Sequence, residues 1–453
     1  MIVFAAPLER LGAVLSTYKH SVSLDESKCK GCTTCLKRCP TEAIRIRDGH
    51  AVINSKRCID CGECIRVCPH KAKKAIHDSF EKLDRYKFRI ALPAPSLYGQ
   101  FDNLDDIGYV ISGLYAIGFD DVFEVAKAAE IVSAYTRLYL NNPDVPKPVI
   151  SSACPAIMRI ISMNYPFLCD HVIPLLPPVD VAAKMARKKA LEEHPELTSD
   201  DIGVFFISPC PAKVSYVKNG FSGEEKLIDH VISVRDAYFR LLDVMKAENA
   251  PATATESGMV GIGWASTGGE ATATFNHRYL AADGVENCIR VLEQIDNEGI
   301  NNLDYVELNA CNGGCVGGAM TVANPYIAQA RLQNLKRYLP VSPNRPMDDT
   351  IPEDSLRASA LSYEPNAKLS EDRTKAMQML RDIEEICRAL PGTDCGSCGA
   401  PTCAAFAEDI IKGETNADEC TVIMRALFHD YLEQHKEKAA EEALKPLNYK
   451  KNN

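Results

Sequence analysis

Cysteine is the residue type with which this sequence could do chemistry. The 453-residue chain contains 19 cysteines, and most of them fall in short, regular spacings. An odd number of cysteines fits a purely disulfide framework poorly. Clustered cysteines in a chain of this length instead favour metal or cluster ligation in a reducing compartment. The apolar start of the chain contains Glu9 and Arg10, so we expect a packed N-terminal segment rather than a signal peptide.

Two tandem motifs near the N-terminus share the spacing C-x2-C-x2-C-x3-C-P. They are CKGCTTCLKRCP at 29–40 and CIDCGECIRVCP at 58–69. They resemble bacterial two-cluster ferredoxins, in which the fourth cysteine of each motif ligates the other cluster. Zinc is the alternative metal for CxxC pairs, and the proline-closed octet disfavours it. The resemblance implies one [4Fe–4S] cluster at Cys29, Cys32, Cys35 and Cys68, and another at Cys58, Cys61, Cys64 and Cys39.

Three further cysteines follow apolar, strand-like runs. These runs lead into Cys154, Cys210 and Cys311. From about residue 85 to 340 such runs alternate with helical stretches, which indicates an α/β fold with parallel strands. Because parallel sheets place ligand sites beyond the carboxyl ends of their strands, we expect an active site around these cysteines. The predicted strands are YKFRIALPAP, DDVFEVA, PKPVISSAC, DIGVFFISPC, GMVGIGWAS and LDYVELNAC, and the predicted helix is LIDHVISVRDAYFRLLDVMKAE.

Three segments around these cysteines resemble, in order, the cluster-binding signatures of [FeFe]-hydrogenases, the iron-only hydrogenases. They are SSACPAIMRI (151–160), SPCPAK (208–213) and ELNACNGGCVGGA (307–319), within a resemblance that covers roughly 85–335. The resemblance implies an H-cluster, in which a cubane is joined to a two-iron subsite carrying CO, cyanide and a dithiolate. Its cubane ligands would be Cys154, Cys210, Cys311 and Cys315.

The resemblance implies further roles for two residues of these segments. Cys315 would bridge to the two-iron subsite, and Lys213 would pair with an iron-bound cyanide. The alternative for Lys213 is an ordinary surface lysine. Glycines next to Cys311 and Cys315 would let the backbone approach a bulky cluster closely.

The sequence departs from the family pattern at four positions. Ala153 replaces the cysteine that usually relays protons, and Tyr216 replaces a glutamate. Ser208 and Asn309, predicted here to contact the cofactor, replace methionines. Since proton transfer needs titratable groups or waters in sequence, the usual route is interrupted. Glu270, Glu130 and Tyr135 are candidates for another route, with Glu270 a tentative catalytic residue; each could instead be an ordinary structural polar residue.

A third cysteine cluster lies near the C-terminus. In LPGTDCGSCGAPTCAAFAEDIIKGETNADEC (390–420) the spacing is C-x2-C-x4-C-x16-C, with an amphipathic helix expected at AAFAEDIIKG. It resembles the small [4Fe–4S] domain of corrinoid iron–sulfur proteins and of electron-transport complex subunits, and zinc is the alternative. The predicted ligands are Cys395, Cys398, Cys403 and Cys420; Cys169, Cys288 and Cys387 receive no role.

These patterns predict an α/β protein with six segments. They are an N-terminal segment (1–23), a ferredoxin-like 2[4Fe–4S] module (24–80), a two-lobed α/β H-cluster domain with parallel sheets (81–340), a linker or peripheral wrap (341–372), a small helical [4Fe–4S] domain with its helices (373–446) and a tail (447–453).

The resemblance implies a hydrogenase that interconverts protons and H2, with electrons relayed through [4Fe–4S] clusters. Low turnover and a hydrogen-sensing role are both compatible with the departures; the alternative is a non-enzymatic iron–sulfur electron carrier or cluster-assembly protein. The implied partners are a ferredoxin-type electron carrier or a signalling protein, and hydrogenase maturases. A net charge of −10 argues against nucleic acid, and no apolar run of about 18 residues predicts a membrane span, so we expect a cytoplasmic protein.

Overall fold

The computed structural model describes residues 19–219, 227–247, 253–298, 300, 302–344, 356–365 and 368–434. Its strands are β1 (Val22–Leu24), β2 (Ile44–Arg47), β3 (His50–Ile53), β4 (Lys73–Ala75), β5 (Phe88–Pro93), β6 (Asp121–Val122), β7 (Val149–Ile150), β8 (Ile202–Ser208), β9 (His230–Ser233), β10 (Tyr279–Asp283) and β11 (Tyr305–Asn309).

The α-helices are α1 (Thr34–Lys37), α2 (Glu63–Arg66), α3 (Gly108–Ala116), α4 (Val125–Leu140), α5 (Pro155–Asn164), α6 (Pro178–Glu193), α7 (Pro211–Lys218), α8 (Val234–Ala247), α9 (Met259–Gly263), α10 (Gly269–Ala273), α11 (Val285–Glu298), α12 (Pro325–Lys336), α13 (Arg373–Ala389), α14 (Cys403–Ile411) and α15 (Thr421–Gln434). Within the described ranges, no helix combines the length and apolarity that a bilayer crossing requires.

The chain divides into two compact units, and each unit is made of two separate stretches of the sequence. The first unit reaches Asp25 and resumes over Ser55–Asn366, whereas the second takes Glu26–Asn54 and the part from Ala367 onward. The first N-terminal cysteine motif therefore groups with the C-terminal cysteines. The second motif groups with the central region.

The first unit is built on two parallel sheets. One has the strand order β6-β5-β8-β9 and the other β10-β11-β7, while β1 and β4 form an antiparallel pair. All seven residues of β8 are buried, as expected for a central parallel strand covered on both faces. Val204 and Phe206 join one hydrophobic core and Phe205 and Ile207 another, following the period of two along a strand. The predicted α/β class with parallel sheets is confirmed.

Two local predictions are wrong. GMVGIGWAS forms helix α9 rather than a strand, because its glycines allow close helix packing: a Cβ at Gly261 would lie 2.1 Å from the carbonyl oxygen of Ala126. LIDHVISVRDAYFRLLDVMKAE is helical only from Val234, because His230–Ser233 pairs in parallel with β8 as strand β9. Strand β10 was not predicted.

The segment predicted as a linker or wrap is partly described. Leu356 is buried in a core of the first unit, and its carbonyl oxygen accepts a hydrogen bond from the backbone N–H of Leu176. The Ser162 hydroxyl donates to the carbonyl of Ser362. Residues 356–365 therefore pack within the first unit. Residues 345–355 lie outside the described part of the chain, as do the tail and nearly all of the N-terminal segment.

The second unit begins with the hairpin β2–β3. Asp48 and Gly49 form its turn, both with positive φ, as a two-residue hairpin turn requires. Helix α13 begins after Asp372, whose carboxylate accepts from the N–H groups of Thr374 and Lys375. The helix predicted between the C-terminal cysteines is confirmed as α14, with Phe406 in a small core.

Candidate active site

A cavity opens where strands from both parallel sheets end. The cysteines that follow β7, β8 and β11 meet around it, as the sequence predicted for strand ends. The predicted site residues that line it are Ala153, Cys154, Cys210, Lys213, Glu270, Asn309, Cys311 and Cys315. The remainder of the lining is largely apolar, including Val125, Phe206 and Trp264.

Two of the cysteines are the N-caps of helices. Cys154 precedes α5 and Cys210 precedes α7, and each is followed by a proline that presets the first helical φ. The exposed N–H groups and the dipole at a helix N-terminus favour negative charge. An anionic cofactor bound at these two positions would therefore be favoured by the helix N-termini.

The loop from Cys311 to Cys315 depends on glycine. Gly313 and Gly314 have φ of +78° and +85°, and a Cβ at Gly314 would lie 2.6 Å from the backbone nitrogen of Thr267. The Asp283 carboxylate accepts from the Gly313 N–H at 2.8 Å and from the Thr267 hydroxyl at 2.9 Å. Loop and cavity wall are thus fixed by one carboxylate.

Lys213 brings a positive charge into the cavity. Its Nζ donates to the carbonyl oxygen of Ala153 at 3.0 Å. Burial raises the pKa of the thiols of Cys210 and Cys315, and the Lys213 ammonium acts in the opposite direction on both. An ammonium among four cysteines suits an anionic cofactor.

Glu270 is held in a buried polar network on the cavity wall. The Ser151 hydroxyl lies 2.8 Å from both carboxylate oxygens, and the Tyr305 hydroxyl donates to Oε1. Burial first, and the neighbouring Glu307 second, raise the Glu270 pKa to about 8. A carboxyl that titrates in this range can hold and release a proton near neutral pH.

Glu307 was not singled out from the sequence. Its carboxylate accepts from the backbone N–H groups of Gly268 and Ala271 and from the side-chain amide of Asn309. Burial raises its pKa as well. The signal was the alternation Tyr305, Glu307, Asn309, which puts all three side chains on one face of β11.

Other predicted residues lie elsewhere among the described residues. Ser208 does not line the cavity; its hydroxyl bonds with the backbone of Cys210. Glu130 is fully buried and accepts from the N–H groups of Gly258 and Asn344, so it anchors two loops. Tyr135 packs against a hydrophobic core. The Tyr216 hydroxyl donates to Asp180, whose pKa burial raises to about 6.

The second N-terminal motif adjoins the cavity's glycine loop. Arg66 of α2 donates to the Cys311 sulfur at 3.8 Å and to the carbonyl oxygen of Gly317 at 3.4 Å. A Cβ at Gly62 would lie 2.5 Å from the Cβ of Ala319. The loop that carries Cys61 and Cys64 is therefore in direct contact with the cavity's cysteine loop.

The C-terminal cysteines surround a smaller space. It is lined by Cys395, Cys398, Cys403 and Cys420, with Phe406 and Leu390 closing it. Among the described residues, no three His, Cys, Asp or Glu side chains converge closely enough to hold a single metal ion.

Comparison with known families decides the identity of the central region. The family model described as iron only hydrogenase large subunit, C-terminal domain, matches residues 87–277 and 267–319, which span more than half of the chain. The chain belongs to this family. Models of a 4Fe-4S dicluster domain and of a putative Fe-S cluster match residues 21–69 and 390–422. These matches support iron–sulfur clusters as cofactors of this iron-only hydrogenase family member.

Similar proteins cover parts of the chain. The periplasmic [Fe] hydrogenase large subunit of Nitratidesulfovibrio vulgaris is 30% identical over 215 residues, which are 43% of this chain and 50% of that protein. A component of the ion-translocating oxidoreductase complex of Rhodobacter capsulatus is 47% identical over 39 residues, 9% of this chain and 21% of that protein. The chain thus spans half or less of the length of these relatives.

A solved structure of apo [FeFe]-hydrogenase HydA1 from Chlamydomonas reinhardtii is also similar. It has 16% sequence identity and a TM-score of 0.48, over 62% of this chain and 95% of that one.

Proposed function

We propose that the protein is an oxidoreductase of the [FeFe]-hydrogenase type, which interconverts H2 with two protons and two electrons. The observation that carries the proposal is the cavity in which Cys154, Cys210, Cys311 and Cys315 surround the Lys213 side chain. Family membership supports the same chemistry. The H-cluster, when bound, supplies the redox chemistry on hydrogen.

The four cysteines fit the cubane of an H-cluster. They stand at two helix N-termini and on one glycine loop, where an anionic cluster is favoured and the backbone can approach it closely. Cys315 would also hold the two-iron subsite in this proposal. Lys213 would hold the subsite's anionic ligands with those donors of its ammonium that do not bond to Ala153.

Glu270 takes over the proton-holding role at the cavity. Ala153 lines the cavity but has no proton to give, whereas the Glu270 carboxyl lines the same space. Its pKa of about 8 lets it exchange a proton near neutral pH, and Ser151 and Tyr305 orient it. The loss of the usual relay cysteine supports low turnover, compatible with a hydrogen sensor.

Three further [4Fe–4S] clusters would relay electrons. The N-terminal pair uses Cys29, Cys32, Cys35 and Cys68 for one cluster and Cys58, Cys61, Cys64 and Cys39 for the other, and the C-terminal cluster uses Cys395, Cys398, Cys403 and Cys420. The dicluster and Fe-S matches support these assignments. A ferredoxin-type carrier or a signalling protein would exchange electrons, maturases would install the two-iron subsite, and the reducing cytoplasm would suit the thiolates.

Infrared spectroscopy tests the proposal directly. The protein, matured anaerobically with active hydrogenase maturases, is expected to show intense CO and cyanide bands that shift under H2. Iron analysis on the same sample measures the cubanes. Full cubane iron without CO and cyanide bands would overturn the hydrogenase proposal and leave an electron carrier or cluster-assembly protein.

A further inference from the structure

The first N-terminal motif and the C-terminal cysteine loop touch within the second unit. A Cβ at Gly396 would lie 3.0 Å from Cε of Lys37 and 3.3 Å from Cδ2 of Leu36. Leu36 directly follows Cys35 on α1, and Gly396 directly follows Cys395. Two loops that are predicted to hold different clusters are therefore in van der Waals contact.

Hydrogen bonds join the C-terminal cysteine loop to the first motif and to the hairpin that follows the motif. The N–H of Ile46 on β2 donates to the carbonyl of Gly399 at 2.9 Å, and Lys37 Nζ donates to the carbonyl of Pro401 at 2.8 Å. A Cβ at Gly399 would lie 2.2 Å from the Ile46 carbonyl oxygen, so only glycine permits this approach. The contact thus involves backbone on both sides.

A buried carboxylate locks the contact. Asp409 on α14 is 2% exposed and receives both Arg45 Nε, at 2.6 Å, and Arg45 Nη2, at 3.0 Å. Arg47 Nη2 donates to the same carboxylate at 2.6 Å. Burying a charge is costly unless it is paired, and removing one partner of such a pair is strongly destabilising. A fortuitous surface contact would not need this arrangement.

We infer that the C-terminal module and the first N-terminal motif form one two-cluster electron-transfer unit, in which Asp409 is a positioning residue. One electron from an external one-electron carrier reduces the C-terminal cluster and then passes to the cluster held by Cys29, Cys32 and Cys35, with no bond made or broken. Cys395 is exposed, which gives a carrier access to the C-terminal site. The inference rests on the proposed cluster ligation but not on hydrogen chemistry.

Electron paramagnetic resonance of the full-length, dithionite-reduced protein tests the inference. The signal of the C-terminal cluster is expected to be broadened by magnetic coupling to the first-motif cluster. The variant Asp409→Asn keeps every cluster ligand, so it should keep its iron content and lose the coupling. The control Glu384→Gln removes a carboxylate from an exposed i,i+4 pair with Arg388 and should leave the coupling intact.

A second measurement covers the case in which Asp409→Asn does not fold. In Cys32→Ala the C-terminal signal should narrow, because the coupled partner is missing, whereas in Cys169→Ala it should stay broad. An uncoupled C-terminal signal in the wild-type protein, or zinc in place of iron at that site, would overturn the inference. Coupling in a protein without CO and cyanide bands would sustain it while removing the hydrogenase proposal, so the two failures are distinguishable.

Discussion

The central cavity and the C-terminal cysteine pocket hold the same number of cysteines in very different surroundings. The central four come from three separate strand ends and share the cavity with an ammonium and a buried carboxyl. The C-terminal four come from one stretch of 26 residues, Cys395–Cys420, around a smaller space. The carboxylate beside them, Asp394, accepts the backbone N–H of Cys403.

This difference separates what a site needs for electron transfer from what it needs for chemistry on protons. Passing an electron needs ligands, glycine for close backbone approach and an apolar cover, all of which a short segment supplies. Chemistry on protons also needs space and groups that hold protons out of water. Burying a carboxyl such as Glu270 costs free energy, so its place on the wall of the central cavity marks that cavity as the site where proton chemistry is expected.

Removing one central cysteine should have the largest effect. In Cys315→Ala we expect complete loss of the CO and cyanide infrared bands, because in the proposed assignment this thiolate would join the cubane to the two-iron subsite. Cys403→Ala should leave those bands in place and remove only the iron of one cubane. The control is Cys169→Ala, a buried cysteine without an assigned ligand role. Bands that survive in Cys315→Ala would show that the two cysteine sites do not differ as proposed.

Replacing the buried carboxyl with a group that cannot titrate should slow the proposed H2 turnover without removing the cofactor. In Glu270→Gln we expect H2 turnover to fall about 100-fold, the scale of a lost general acid–base group. The infrared bands should remain, since Glu270 is no cluster ligand. The matched control is Glu130→Gln, a buried glutamate that does not line the cavity. Turnover unchanged by Glu270→Gln, measured by gas chromatography, would remove this residue from the proton route.

The same substitution should change how stability depends on pH. The Glu270 pKa is about 8 in the folded protein, against an ordinary value of 4.5. Stability from the protonated carboxyl is therefore fully present below about 4.5 and is lost as pH rises through about 8. Glutamine does not titrate, so the variant does not lose this stability. As pH rises from about 4.5 to about 8, the free energy of unfolding of wild type should therefore fall relative to that of Glu270→Gln. Denaturant unfolding of cluster-free protein at several pH values measures it; a constant difference would contradict the raised pKa.

The sequence was sufficient for the parts of the fold that local patterns determine. The runs before Cys154, Cys210 and Cys311 identified parallel strands, and the rule for strand ends placed these cysteines at one site. The alternating glycine and apolar residues of GMVGIGWAS led to the wrong prediction of a strand where helix α9 forms. A helix that packs through a face of small residues has the same composition as a buried strand. Glu307 was missed because its partners, the N–H groups at the start of α10, become its neighbours only through tertiary packing.

The division into units shows a second limit of sequence reasoning. Arg45 and Asp409 are 364 positions apart, and no local pattern indicates that they pair. The two tandem motifs predicted one module over 24–80, a boundary that stays a prediction. The contacts of the first motif with the C-terminal module depend on a charge pair and on Gly399, both of which are visible only in three dimensions.

The smallest expected effect concerns helix α13, which precedes the C-terminal cysteines. Asp372 caps α13 through two backbone N–H groups, so Asp372→Ala should destabilise this helix by about 1 kcal/mol, the usual cost of a lost N-cap. Hydrogen exchange at the amides of Thr374 and Lys375 should become faster. The neighbouring variant Glu371→Gln removes only an exposed ion pair with Lys368 and should change little. The central infrared bands should not respond to either variant, since the helix start belongs to the second unit; a response would show that the two sites are energetically coupled.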